Sequence, residues 1–272
     1  MKKFLSLLLT LAMVCALAAC AGGSGSGSAS GSQPDASQGA GSASGSSSQP
    51  DASQTDVQVM TYDEYMAAEL DSPVTIQAYV QAKQSWWEDK ATVYAQDQDG
   101  AYFLYNMACS QEDYDKLVPG TCILVSGYKA EWSGEVEIID ATFEIVEGDT
   151  FIAQPLDVTE LLADESLIDY QNQLVEFKGL TVVAAGQDDA GSDVAFLYNW
   201  DGSGTQGDDL YFNVSVGGET YTFTVESYLC DSSTEVYKAV EALEIGQTID
   251  AQGFLYWYEG VNPHITQVTV VE

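Results

Sequence analysis

The chain has no arginine, and only eight lysines stand against 42 acidic residues over its 272 positions. Lys2 and Lys3 precede the first acidic residue, so the 42 carboxylates downstream of Cys20 are answered by six lysines, a formal charge of about −36. A surface of that sign repels polyanions at long range, and nucleic acid is therefore an unlikely partner. Histidine is almost absent: His264 is the single one, in Asn262-Pro263-His264. Neither a cysteine nor an acidic residue stands at a motif-like spacing from it. Gly-x-Ser-x-Gly, His-Glu-x-x-His and P-loop patterns are also missing. Catalysis has no visible machinery, and no cofactor is called for. Long apolar runs are scarce too. The longest, Phe4–Ala19, is short for a membrane span.

That run has a different reading. Lys2 and Lys3 precede it and Leu17-Ala18-Ala19-Cys20 closes it, giving a charged start, a short apolar middle and a small-residue cleavage site. The Leu-Ala-Ala-Cys ending resembles the lipobox of bacterial lipoproteins. The resemblance implies cleavage before Cys20, a diacylglyceryl group on its sulfur, and an extracytoplasmic protein attached to the cell membrane through that anchor. Residues 1–20 are thus expected to be a signal peptide. Residues 21–56 are nearly all Gly, Ser, Ala, Gln and Asp, with Ser-Gln-Pro-Asp-Ala-Ser-Gln at 32–38 and again at 48–54. Such a stretch buries no core and is expected to be a disordered tether, roughly 30–35 Å between its ends.

Residues 57–272 suit two domains, and a repeat marks them. Glycines stand seven apart at Gly120, Gly127, Gly134 and again at Gly246, Gly253, Gly260. Between the first two of each set, apolar residues alternate (Ile123 and Val125; Ile249 and Ala251), the period of a half-buried strand. A glycine inside such a strand marks a bulge or a barrel corner. Around each repeat the order is the same. Strands are expected near 74–82, 91–96 and 101–107, a helix from Ser110, then strands over the repeat and at 136–146, with a bulge near Ile138 and Ile139. A capping box, Thr61-x-x-Glu64, opens a short helix ahead of them. In the second half, a helix is expected from Asp157 and strands at 174–183, 210–216 and 221–225. A helix capped by Ser232-x-x-Glu235 follows, then the repeat and a last strand at 265–271.

Three strands, a helix and two strands is the order that resembles the OB-fold, a five-stranded Greek-key barrel, here in tandem as in surface lipoproteins of Gram-positive bacteria. The resemblance implies a mainly β protein of two small barrels, at 57–148 and 149–272. Two β-sandwich modules would also suit short alternating strands.

The OB resemblance places ligands on the face of strands two and three and in the loops joining strands one to two and four to five. Those positions hold Trp86, Trp87, Tyr128 and Trp132 in the first half, with Lys83, Lys90 and Lys129 near them. The second half matches with Trp200, Tyr256, Trp257 and Tyr258. Adjacent tryptophans cannot both point inward from a strand, so one of Trp86 and Trp87 is expected at the surface. Asp201, Asp208 and Asp209 are the candidate metal ligands, in a Gly- and Asp-rich loop. The leading expectation is a membrane-tethered, non-catalytic module binding a cell-wall glycan or a surface protein. The alternatives are a single-stranded nucleic-acid binder and a secreted hydrolase with a carboxylate pair. Cys109, Cys122 and Cys230 are odd in number and cannot all pair internally.

Overall fold

The computed structural model describes residues 58–271. Cys20, the signal-like segment and the Gly/Ser-rich stretch 21–56 lie outside the described residues.

The first half opens with helix α1, Tyr62–Ala67, where the Thr61 hydroxyl accepts from the Glu64 amide and the Glu64 carboxylate accepts from the Thr61 amide. Strands β1 (Pro73–Lys83), β2 (Lys90–Gln96) and β3 (Ala101–Ala108) follow, then helix α2 (Gln111–Lys116), β4 (Cys122–Trp132) and β5 (Glu135–Val146). They close in the order β1–β2–β3–β5–β4, with β4 returning to β1. All neighbours are antiparallel except β3 and β5, which pair parallel at Phe103–Glu137 and Leu104–Ile138. Full closure leaves no exposed sheet edge in the ring.

The second half repeats this ring. After the short β6 (Leu156–Asp157) come two 3-10 turns, Thr159–Leu161 and Glu165–Tyr170, and then β7 (Leu174–Val183). The long connection holds β8 (Gly186–Gln187), β9 (Asp193–Val194) and β10 (Phe196–Tyr198). Strands β11 (Leu210–Val216) and β12 (Glu219–Val225), helix α3 (Glu235–Glu241), β13 (Thr248–Phe254) and β14 (His264–Val271) complete it. Strand β11 pairs with both β12 and β7, so β7–β11–β12–β14–β13 is also a closed five-stranded ring. Two tandem OB-like barrels are therefore the fold, and the sandwich alternative falls.

Alternation explains the interiors. Ile76, Ala78 and Val80 of β1 meet Val93, Leu104, Ile123, Val125 and Ile138 in the first barrel. Phe177, Leu180, Phe212, Phe223, Ile249 and Ile265 fill the second. Each large side chain fully buried in this way contributes roughly 1.5–3 kcal/mol. The middle glycine of each repeat sits where the ladder shifts register, between Ser126 and Tyr128 and between Gln252 and Gly253. A methyl group on Gly127 would lie 2.7 Å from Ile138 Cγ2, and one on Gly253 would lie 2.7 Å from Ile265 Cα. Close approach of two chains at a corner is what requires glycine here.

Three local expectations are revised. The segment from Asp157 makes only a 3-10 turn: Leu156 and Asp157 are held as a strand against β7, and the Asp157 carboxylate accepts from the Thr159 amide and hydroxyl just beyond. Thr234, not Ser232, caps α3, accepting from Tyr237, while Asp231 holds the turn before it. The β5 bulge falls at Asp140–Ala141, where Asp140 has φ +49. Cys122, on the outward side of β4, is nonetheless buried. Cys109, Cys122 and Cys230 are all buried free thiols.

Candidate ligand-binding cleft

The outer face of β2 is not solvent-exposed: after Lys90, every residue to Gln96 is buried. The second barrel covers it. Tyr94 stacks on Phe254 at 4.3 Å and 10°, and its hydroxyl lies 2.9 Å from His264 Nδ1. Phe103 meets Tyr256 edge-on, and Tyr256 stacks on His264 at 4.3 Å.

Polar bonds pin the rest of this junction. The Ser85 amide donates to Tyr228 O (2.7 Å), and Leu174 donates to Gln96 Oε1 (3.0 Å). Gln171 clips the start of β5, accepting from Val136 and donating to Gly134 O, both at 2.8 Å. The two repeat hairpins also meet each other. Glu259 donates to Ser133 O, Trp257 donates its amide to Glu135 Oε2, and the Trp132 and Tyr258 rings lie 5.1 Å apart.

Beside this contact the barrels diverge and enclose a cleft of about 980 Å³, within the size of small-molecule sites. One wall is the β2–β3 face of the first barrel: Lys90, Thr92, Phe103, Tyr105 and Asn106, flanked by Gln84, Ser85, Trp87 and Trp132. The other is the β11–β12 face of the second. Leu210, Phe212 and Val214 turn into that barrel, so Tyr211 and Asn213 face the cleft, as do Thr222 and Thr224 of β12. Asp209, Glu226, Tyr228, Tyr256, Tyr258, Asn262 and His264 complete it, with Ala185, Leu197 and Trp200 from the long connection. Trp87, Trp200 and Tyr228 are 67%, 76% and 63% exposed, unusual for rings of this size.

The floor carries unusual titratable groups. Burial holds His264 neutral, pushing it down to about 3. Burial, and then the charge of Asp209, push the Glu226 carboxyl up to about 7. Glu226 Oε2 is buried without a partner. Behind the cleft, burial raises Glu135 to about 8. Glu135 Oε1 and Asn172 Oδ1 are both buried and unpartnered, and the Asn172 side chain lies against the Glu135 carboxyl. The contacts with Asn172 and the Trp257 amide pull the Glu135 carboxyl down, and burial outweighs them.

Among the sequence candidates, Trp87, Trp132, Trp200, Tyr256, Tyr258 and Lys90 come together in the cleft, while others are employed elsewhere. Trp86 turns inward and donates its indole N–H to Cys109 O. Lys83 lies 3.7 Å over the Tyr114 ring and donates to Tyr114 O. Lys129 is buried and donates to the carbonyls of Tyr65, Met66 and Ala68 at the end of α1, so it cannot reach a ligand. Tyr128 is half-exposed on β4 away from the cleft. Trp257 packs over Gly134 and the second core. The three metal candidates do not converge. Asp201 holds the Ser203 amide, Asp208 the Thr205 amide and Asp209 the Ser227 amide and hydroxyl. Among the described residues no cluster of His, Cys, Asp or Glu could hold a metal ion. Tyr105, Tyr211, Tyr228 and the neighbouring Asp209 and Glu226 were not singled out as ligand contacts by the sequence. The outward parity of Tyr105 and Tyr211 on their strands is the signal that points to two of them.

No protein-family model and no curated protein matches the chain. Among the solved structures it is similar to are three that each align over about three quarters of it. The tetrameric p202 HIN2 is 13% identical, at a TM-score of 0.31, and covers 75% of this chain and 96% of its own. A murine DNA-binding protein bound with double-stranded DNA is 11% identical, at 0.33, covering 73% and 96%. The Ifi202 HINa domain in complex with 20 bp double-stranded DNA is 10% identical, at 0.32, covering 74% and 96%. Nucleic acid as an unlikely partner is the expectation that this finding corrects, because two of the three similar structures hold DNA. None of them fixes the ligand of this chain.

Proposed function

We propose that this chain is a non-catalytic binding protein whose ligand lies in the cleft between its two barrels, held at the outer face of a membrane by an acyl anchor on Cys20. The observation that carries it is the exposure of Trp87, Trp132 and Trp200 around a polar-floored cleft whose walls are already fixed. Exposed indole and phenol rings stack on the faces of flat or ring-shaped ligands, and the amides of Asn106, Asn213 and Asn262 offer hydrogen bonds between them. An oligosaccharide fits that combination. Rigid walls lower the ordering cost of binding. His264 does not act as a base in this reading, since it is buried, neutral and bonded to Tyr94.

The test is a glycan and oligonucleotide binding screen of residues 57–272, run beside a Trp87→Ala/Trp132→Ala/Trp200→Ala variant. Loss of binding with an unchanged melting curve supports the cleft, and binding that survives refutes it. Cys20→Ser should move the protein from the membrane fraction to the medium.

Lys90 beside exposed ring faces favours a second reading, a single strand of nucleic acid stacked on the same rings, at roughly 1–3 kcal/mol per base. Affinity for a single-stranded oligonucleotide that falls steeply with salt would identify it. Asp209 and Glu226, next beyond the Leu210–Val225 rung, are the carboxyl pair that a hydrolase reading would use. Turnover of chromogenic glycosides, lost in Glu226→Gln, would replace binding by hydrolysis.

A further inference from the structure

From the same cleft, and resting on the binding reading above, we infer that the ligand carries a cationic nitrogen that docks between Asp209 and Glu226. Leu210 and Val225 stand directly opposite in the β11–β12 ladder, so Asp209 and Glu226 flank the next rung as cross-strand neighbours. Two carboxylates on one rung repel each other unless one takes a proton or a cation lies near. The ion pairs among the described residues belong to Lys116, Lys178 and Lys238, and none of them includes Asp209 or Glu226. Lys90 lines the opposite wall and takes part in none of them.

Glu226 is nine-tenths buried, its Oε1 accepts from the Tyr228 amide, and Oε2 has no partner although it belongs to a residue lining the cleft. An unsatisfied buried oxygen is an expense that a bound donor removes. Only other titratable groups of the same sign or neutral character face it: Asp209, Tyr211, Tyr94, Tyr256 and the Cys230 thiol. The same cleft is lined by Trp87, Trp132, Trp200, Tyr228 and Tyr258, whose negative ring faces attract an organic cation. An ammonium on an otherwise ring-like or aliphatic body answers both features together. An amino sugar bearing a free amine is the smallest ligand class that does so while keeping faces for the rings.

The experiment compares a matched pair, the β-1,4-linked glucosamine trimer and its N-acetylated counterpart, which differ at the nitrogen. Binding is read at pH 6 by tryptophan fluorescence and calorimetry on residues 57–272. The glucosamine trimer is expected to bind at least about tenfold more tightly, since a hydrogen bond to a charged group outweighs a neutral one. Asp209→Asn, which keeps the acceptor used by Ser227, is expected to erase most of that preference without altering the melting curve. Glu226→Gln is the second variant, with the same expectation. Equal affinity for the two trimers, tighter binding of the acetylated one, no binding of the glucosamine trimer, or a preference unchanged in both variants would each overturn the cationic ligand. If the acetylated trimer binds at least as tightly as the glucosamine trimer and the triple tryptophan variant abolishes it, the cleft reading survives while this inference fails.

Discussion

Trp132 and Tyr258 occupy equivalent places in the two repeats, five residues beyond Gly127 and Gly253, and their rings meet 5.1 Å apart across the junction of the barrels. Each copy of the repeat thus serves as the docking surface for the other. Between them the Glu259 amide donates to Ser133 O and the Trp257 amide to Glu135.

This junction should make the two barrels melt as one unit. Calorimetry of residues 57–272 is expected to show a single transition whose van't Hoff and calorimetric enthalpies agree. Trp132→Ala is expected to cost about 1 kcal/mol, the worth of one aromatic pair at a half-exposed position, and to begin separating the transition into two.

Stability should fall toward alkaline pH. Glu135 and Glu226 titrate at about 8 and about 7 in the folded state against a usual 4.5, so the folded protein holds more protons than the unfolded chain between those values. Their contribution is complete below pH 4.5 and is lost as pH rises to about 8, at roughly 1.4 kcal/mol per group and pH unit. His264 has the opposite sign. Its folded value near 3 against 6.5 means that its contribution is present above pH 6.5 and is lost toward 3. Together the three put the maximum near pH 4.5. Glu135→Gln, which does not titrate and keeps an acceptor for the Trp257 amide, should flatten the alkaline side in urea titrations from pH 4 to 9.

Lys129 and Lys90 should separate stability from binding. Lys129→Met removes three bonds to the end of α1 and is expected to cost about 2–3 kcal/mol in denaturant unfolding, leaving ligand affinity as it was. Lys90→Met is expected to leave the unfolding midpoint unchanged, because Lys90 sits exposed at the rim of the cleft.

The corner glycines admit no side chain. Gly253→Ala forces a methyl group against the backbone of His264 and Ile265 and is expected to cost about 3 kcal/mol or more. Gly246→Ala, with open space around it but φ +93, should cost about 1 kcal/mol. Thermal melts of the two variants test that order.

Much of the fold was legible because strand alternation and glycine spacing are local properties. Ile123, Val125, Ile249 and Ala251 mark the buried faces, and Gly127 and Gly253 mark the corners. The site was legible only in part. The positions of Trp87, Trp132, Trp200 and Tyr258 follow from loops the fold places at one end. Nothing local distinguishes Lys90, exposed at the cleft, from Lys129, consumed by α1, since the difference lies in a helix more than sixty residues upstream. Asp209 and Glu226 are seventeen residues apart in sequence and became neighbours only through the register of β11 and β12.

Each barrel furnishes a single wall of the cleft. Expressed alone, either half would display a shallow, unopposed plane of tyrosines, so the enclosure is a property of the doubled chain that neither half possesses. A substitution in one wall can then reshape the hollow while the opposing wall, built on a separate barrel, keeps its form.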